Sequence, residues 1–103
     1  ISAGGKNLGP SPHELLLSSL GACTAMTIRF VAKNKGYALD DVSVTLQHTV
    51  HGDGRESIER NITLTGELTF EEKDKLIAVA NKCQVHKTLT GNLSIQTNQM
   101  DDL

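Results

Sequence analysis

Apolar positions along this chain follow two different periods, and the change of period predicts where a helix gives way to strands. Residues 15–35 are apolar on nearly all sides of a helix, a pattern typical of a helix buried in a protein core. The residues before this stretch predict its start: Ser11 suits the N-cap, Pro12 suits the first helical position, and Glu14 completes a Ser-x-x-Glu capping box. Gly36 supplies the C-terminal stop.

After this helix the chain alternates apolar and polar residues, which predicts a β-hairpin. Two alternating stretches flank a Gly-Asp-Gly turn at 52–54, and their apolar positions are Val42, Val44 and Leu46, then Ile58, Ile62, Leu64 and Leu68. Thr69 and Glu72 form another capping box, which opens a helix over about 70–82. Residues 83–90 are expected to form a short turn of helix or loop, and residues 93–97 a last strand.

The predicted elements make one domain over residues 1–103, but they leave its long helix short of cover. A sheet of three strands cannot enclose a fully buried helix of about 30 Å. The sequence begins at Ile1, not Met, with a loop-like run rich in glycine over residues 1–10. We therefore expect the missing cover to come from a partner chain or from an N-terminal segment that precedes Ile1.

Composition and charge limit the kinds of partner that this protein is expected to bind. The net charge is −2 and no run of Lys or Arg stands out, which argues against nucleic acid or an anionic membrane surface. Ser, Thr and Arg29 interrupt the long helix, so it falls short of about 20 mainly apolar residues and we interpret it as a core helix. Two cysteines are too few for a secreted disulfide framework and no signal peptide is visible, so we expect a cytoplasmic protein with reduced thiols.

Cys23 and Cys83 are the residues most suited to chemistry, and only a fold could bring them together. Cys23 lies in the long helix, where Ser19 and Thr27 are placed to donate hydrogen bonds to a thiolate and Leu20 and Met26 to form an apolar pocket; alternatively, it only fills space. Cys83 is followed by His86 and Lys87, and a neighbouring cation favours a thiolate. The alternative for Cys83 is a half-buried thiol beside a solvated basic pair.

Two other uses of these residues are less favoured. A zinc site would combine the cysteines with some of the four histidines, but neither C-x-x-C nor H-x-x-x-H spacing is present; the histidines are His13, His48, His51 and His86. A Cys83–His86 hydrolase pair is too local to leave room for a substrate, and no orienting Asp or Asn follows it. His48 and His51 are interpreted as surface residues.

Three segments together resemble the OsmC/Ohr family, the organic-hydroperoxide reductases and their relatives. They are Gly-Pro-Ser-Pro-His-Glu-Leu-Leu-Leu at 9–17, Leu-Gly-Ala-Cys-Thr at 20–24, and Cys-Gln-Val-His-Lys-Thr-Leu at 83–89. The resemblance runs from about residue 4 to 97. It implies an α+β fold, with a long central buried helix packed against an antiparallel sheet, in an interlocked homodimer. In that fold N-terminal strands, which here would precede Ile1, complete the sheets, and the active sites lie at the dimer interface.

The resemblance also implies a reaction, a thiol peroxidase activity on organic hydroperoxides in oxidative stress defence. The cysteine at position 23 would attack the peroxide and become a sulfenic acid, and the cysteine at position 83 would resolve it to a disulfide that a dithiol reduces. No metal or cofactor is implied. His86 or Lys87 would tune Cys83.

This sequence departs from the family pattern in two places. The peroxide reductases use an Arg–Glu pair to activate the thiolate; the Arg would precede Ile1, and His13 stands where the Glu aligns, with Glu14 beside it. Arg29 is no substitute, because six residues past Cys23 it points about 120° away around the helix. Gln84 stands where Cys-Pro is usual. Both departures favour the broader OsmC-like branch and leave two alternatives open: a non-enzymatic dimer that binds a small apolar molecule or senses redox state, and a structural dimer with inert thiols.

Overall fold

The structure, a computed structural model, describes residues 11–100. Helix α1 (Pro12–Lys35) is followed by strands β1 (Leu39–Val50) and β2 (Glu56–Gly66), helix α2 (Phe70–Val79), a 3₁₀ turn (Ala80–Lys82) and helix α3 (Gln84–Thr90). The expected α+β class is confirmed. The loop expected over residues 1–10 lies outside the described residues.

Both predicted capping boxes form, and they fix where the helices begin. At α1 the Glu14 amide donates to Ser11 Oγ over 3.1 Å, and the Ser11 amide donates to Glu14 Oε1 over 2.9 Å. The bond from the Ser11 backbone amide, and then the one to its side chain, hold the pKa of Glu14 below its ordinary value. Gly36 ends α1 at a φ of 72°, the left-handed conformation that the predicted glycine stop requires.

The hairpin is also confirmed. β1 and β2 pair antiparallel, with Val44 opposite Ile62 and His48 opposite Ile58, and the register shifts between Leu39 and Asp41. Among the residues that the structure describes these are the sheet's two strands. Alternate side chains point to one face, and this inner face packs on α1.

The core lies between one stripe of α1, the hairpin and α2. Every fourth residue of α1 is buried: Leu20, Thr24, Ile28 and Ala32. They pack with Val42, Leu76 and Ala80. The other sides of α1 are open within this chain, where Met26 is 69% and Phe30 65% exposed. Among the described residues, one hairpin and one short helix cover only one stripe of α1, which agrees with the expectation that further cover must come from a partner chain or a preceding segment.

Two further predictions differ from the structure. The helix expected over 70–82 ends as α2 at Val79 and continues only as the 3₁₀ turn. The strand expected over 93–97 is wrong: residues 92–100 are neither helix nor strand, and Ile95 is 83% exposed. A strand needs backbone partners as well as alternation, and this segment pairs with neither strand of the described hairpin.

Candidate functional site

The fold brings the two cysteines together although 60 positions separate them in the sequence. Cys23 lies midway along α1 and is half-buried, whereas Cys83 lies between the 3₁₀ turn and α3 and is only 1% exposed. Both are free thiols. The alternative interpretation, a half-buried Cys83, does not describe its burial, because the 3₁₀ turn and α3 both pack against α1 around it.

Cys83 is the N-cap of α3. Its backbone is extended (φ −65°, ψ 143°), and its Sγ accepts the His86 amide at 3.3 Å. The Cys83 side chain therefore takes the place that Ser, Thr or Asp usually fills at a helix start. This capping leaves the amides of Gln84 and Val85 free of partners within their own helix.

Those free amides face Cys23, and they change its acidity. The Val85 backbone amide is the largest cause that lowers the pKa of Cys23 below its ordinary value. Burial opposes the shift, and hydrogen bonds from the Cys83 thiol and the Gln84 amide support it. The net direction is downward, so Cys23 holds more thiolate near neutral pH than an ordinary cysteine. Because the Cys83 thiol contributes to this lowered pKa, the two cysteine side chains are neighbours in the fold.

The neighbours expected for Cys23 are partly confirmed. Thr27 lies beside Cys23, but its hydroxyl donates its one proton to the Cys23 carbonyl oxygen at 2.7 Å. Leu20 is buried. Met26 is largely exposed and forms no pocket wall within this chain.

Arg60 is a residue that the sequence interpretation missed. It extends from the inner face of β2, and Nη1 donates to Thr24 Oγ1 at 3.2 Å, one residue from Cys23. Nη2 lies 3.1 Å from both Asn81 Oδ1 and His86 Nδ1. The guanidinium thus links the hairpin to α1, the 3₁₀ turn and α3. A signal was available, because Arg60 shares the inward parity of Ile58 and Ile62.

The Arg60 contact also decides how His86 is protonated. A guanidinium can only donate hydrogen bonds, so His86 Nδ1 accepts and the ring proton lies on Nε2. The His86 residue contacts Cys83 through its backbone amide, which donates to the Cys83 sulfur. Lys87 is exposed, and its backbone amide bonds the Cys83 carbonyl oxygen.

The two candidates near the start of α1 lie away from the thiols. The Glu14 carboxylate is held in its capping box. The His13 ring stacks on His48, with ring centres 5.2 Å apart and planes 10° from parallel. His48 is not the surface residue that was predicted: its side chain is 19% exposed and bonds Glu56 Oε1 at 2.7 Å.

A cavity of about 540 Å³ lies between the first half of α1, the hairpin and α3. Leu16, Leu17, Leu20, Ile58 and Leu89 form its apolar wall. Its polar lining includes Ser57, Thr90 and two groups of titratable side chains: Arg60 with His86, and His13 with His48 and Glu56. This volume lies within the range of small-molecule sites.

Comparison with known proteins identifies the class of this fold and site. The model of the OsmC-like protein family matches residues 4–98. The chain therefore belongs to the OsmC-like family, and the resemblance seen in the sequence is confirmed. No curated protein sequence matches the chain.

Solved structures agree with this assignment. An organic hydroperoxide resistance protein OsmC from Legionella pneumophila is 27% identical over 87% of this chain and 69% of its own, with a TM-score of 0.70. An OsmC-like hydroperoxide resistance protein from Jannaschia is 24% identical over 96% and 73%, with a TM-score of 0.70. OhrB, an organic hydroperoxide resistance protein of Bacillus subtilis, is 22% identical over 87% and 68%, with a TM-score of 0.60. The last two show the fold alone.

The same comparison bears on α1, which is long and apolar enough to cross a membrane by length and composition. The core helix of a soluble protein meets the same criteria, and the OsmC/Ohr structures indicate a soluble protein.

Proposed function

We propose that this protein is a cytoplasmic thiol peroxidase that reduces organic hydroperoxides, with Cys23 as the attacking thiolate and Cys83 as the resolving thiol. The observation that carries the proposal is the environment of the Cys23 sulfur. The Val85 backbone amide is the largest cause that lowers the pKa of this thiol, and the Cys83 thiol and the Gln84 amide add to the effect against the opposing effect of burial. A thiolate, not a thiol, attacks a peroxide.

The first chemical step is displacement at oxygen. The Cys23 thiolate attacks the distal oxygen of R–O–O–H, so an S–O bond forms and the O–O bond breaks. The alkoxide leaves and takes up a proton to become the alcohol, and Cys23 becomes a sulfenic acid.

The second step uses the neighbouring sulfur. The Cys83 sulfur attacks the sulfenic sulfur, the S–O bond breaks, and hydroxide leaves with the thiol proton as water. The disulfide then exchanges with a dithiol reductant, whose own sulfurs become oxidised as both cysteines return to thiols. The contribution of the Cys83 thiol to the lowered pKa of Cys23 supports this step, because the two cysteine side chains must then be neighbours.

We also propose that the working form is a homodimer. Met26 and Phe30 leave a large apolar surface on α1 exposed in the single chain. A second copy that covers this surface would bury the remaining sides of α1 and would seclude Cys23 from bulk water. Sedimentation velocity of the purified protein would test this, and a monomer at micromolar concentration would contradict it.

The catalytic proposal is tested by the consumption of cumene hydroperoxide with a dithiol reductant. Cys23→Ser should abolish turnover. Cys83→Ser is the matched control, because it should still reduce about one peroxide per chain and then accumulate sulfenic acid, which a dimedone-type reagent traps at Cys23. A Cys23→Ser protein as active as the wild type would end the proposal.

The cavity favours a second candidate function, a dimer that binds a small apolar molecule or senses redox state without fast turnover. The leucine wall and the Arg60 guanidinium suit a ligand with an apolar chain and an anionic or polar end. Tight binding of a medium-chain fatty acid by calorimetry, together with absent peroxide turnover, would favour this candidate over the peroxidase.

A further inference from the structure

His13, His48 and Glu56 converge although they come from three different elements. Each offers one ligand atom of a type that binds metals, and these three atoms all lie within 4.8 Å of one another. His13 occupies the first turn of α1, His48 lies near the end of β1, and Glu56 begins β2. Their sequence separation explains why spacing alone did not reveal the cluster.

The register of the hairpin brings His48 of β1 close to Glu56 of β2. His48 is opposite Ile58, and Glu56 is two residues before Ile58, so His48 and Glu56 are diagonal neighbours on the same inner face. The first turn of α1 passes over this end of the hairpin, where the His13 ring stacks on that of His48. The packing of α1 on the hairpin, which forms the core, therefore also positions His13 as the third ligand.

The distances suit a metal ion after small side-chain rotations. Four-coordinate zinc with ligands at about 2.05 Å separates them by about 3.3 Å. His48 Nε2 and Glu56 Oε1 now share a proton over 2.7 Å, so an ion in place of that proton widens this pair by a few tenths of an ångström. No two of the three ligand atoms lie more than 4.8 Å apart, and the exposed His13 side chain has room to rotate toward the other two.

The donor set selects the kind of metal. Two imidazoles and one carboxylate suit zinc and other late divalent transition metals, whereas calcium and magnesium prefer oxygen ligands. Three protein ligands leave a fourth position open. All three side chains also line the 540 Å³ cavity, so the ion has access to whatever the cavity holds.

We propose that His13, His48 and Glu56 form a binding site for a divalent transition metal, zinc above all, at one end of this cavity. The site uses neither cysteine, so it stands apart from the thiol chemistry proposed above and does not depend on it.

The test is metal binding by the purified full chain after treatment with a chelator. Calorimetry with Zn²⁺ should show one ion per chain. His13→Ala and His48→Ala should each weaken binding by more than about 100-fold, the upper end of losses seen when only a second-shell partner of a metal is removed. Glu56→Gln keeps an oxygen ligand but loses the charge, so a smaller loss of about tenfold is expected.

Two controls separate this site from other ways of holding a metal. His51→Ala should bind zinc like the wild type, because the His51 ring bonds Ser57 Oγ at 2.9 Å and is not in the cluster. The double variant Cys23→Ser, Cys83→Ser should also bind normally, and the Co²⁺-loaded wild type should lack a thiolate-to-cobalt charge-transfer band. Thermal unfolding without metal checks that each histidine variant is folded. Added Zn²⁺ should raise the Tm of the wild type, of His51→Ala and of the cysteine double variant, but not that of His13→Ala or His48→Ala.

Several results would overturn the proposal. The proposal fails if the Kd for zinc exceeds about 1 mM. It also fails if folded His13→Ala binds zinc as tightly as the wild type, or if the cysteine double variant loses zinc binding.

Discussion

Replacing Arg60 with alanine removes the guanidinium that joins β2 to three other elements. The wild-type side chain is half-buried and makes three hydrogen bonds of 3.1–3.2 Å, to Thr24, Asn81 and His86. Thr24 is fully buried, and its hydroxyl keeps a bond to the Leu20 carbonyl oxygen in the variant. The variant therefore loses hydrogen bonds between elements, but it leaves no buried hydroxyl without a partner.

The expected cost follows from these contacts. A hydrogen bond contributes about 1 kcal/mol net, and the bond to exposed Asn81 contributes less, so Arg60→Ala should lose about 2 kcal/mol of the free energy of unfolding. For a domain of this size that corresponds to a fall in Tm of about 10 °C. Arg60→Lys should recover less than half, because one ammonium cannot span three acceptors in a fixed fork.

Urea unfolding followed by circular dichroism measures this effect, with Arg29→Ala as the matched control. Arg29 pairs with Asp41 at 2.9 Å, but both side chains are more than half exposed, and exposed pairs contribute at most about 1 kcal/mol. If Arg60→Ala and Arg29→Ala shift the urea midpoint equally, the guanidinium does not hold the elements together and the reasoning fails.

Three further predictions follow from other parts of the fold. Alkylation of Cys23 by iodoacetamide, followed by mass spectrometry against pH, should show a midpoint below the ordinary thiol value of about 8.5, and Cys83→Ala should raise it by removing a donor. Since a lowered pKa favours the folded thiolate, stability should rise with pH between the folded midpoint and about 8.5, and fall as pH drops through the folded midpoint. Leu76→Ala should cost about 2–5 kcal/mol in urea unfolding, because this side chain is fully buried. Gly36→Ala should cost about 1 kcal/mol, since the site has room for a methyl group but a φ of 72°.

Each of these has its own check. A Cys23 midpoint at or above 8.5 would contradict the role of the α3 amides, given that about 8.5 is the unperturbed value. Ile77→Ala, 42% exposed, should lose clearly less than its neighbour Leu76→Ala. Gly52→Ala is the control for Gly36, because it also has open space but no positive φ; equal stability of the two glycine variants would refute the strain argument.

Elements whose signals are local could be predicted from the sequence. The start of α1 follows from the side chains of Ser11 and Glu14, and its end follows from the left-handed backbone of Gly36; all three act within one turn of the helix. The alternation of apolar and polar residues located the hairpin because this signal is also local in the sequence. The segment 93–97 carries a similar alternation, but a strand exists only with a backbone partner, and that depends on residues far away in the sequence.

The two cysteines of the candidate site could be predicted from the sequence, but the residues that surround them could not. The family motifs located Cys23 and Cys83, whereas the partners of Arg60 lie 36, 21 and 26 residues from it. Its inward parity was visible, yet nothing local showed what it would contact. The prediction that His48 is a surface residue was wrong for a similar reason: its burial is decided by its position on the inner face of β1 and not by its nearness to the turn.

The cap on α3 has a consequence for how this molecule would respond to oxidation. A helix of seven residues is too short to persist without tertiary support, and here a sulfur atom is the side-chain cap of its first turn. When Cys83 Sγ turns to form a bond elsewhere, the His86 amide loses its acceptor and the segment that carries His86 loosens. Redox chemistry at a single atom would then become a change in local order, readable as faster hydrogen exchange along that segment.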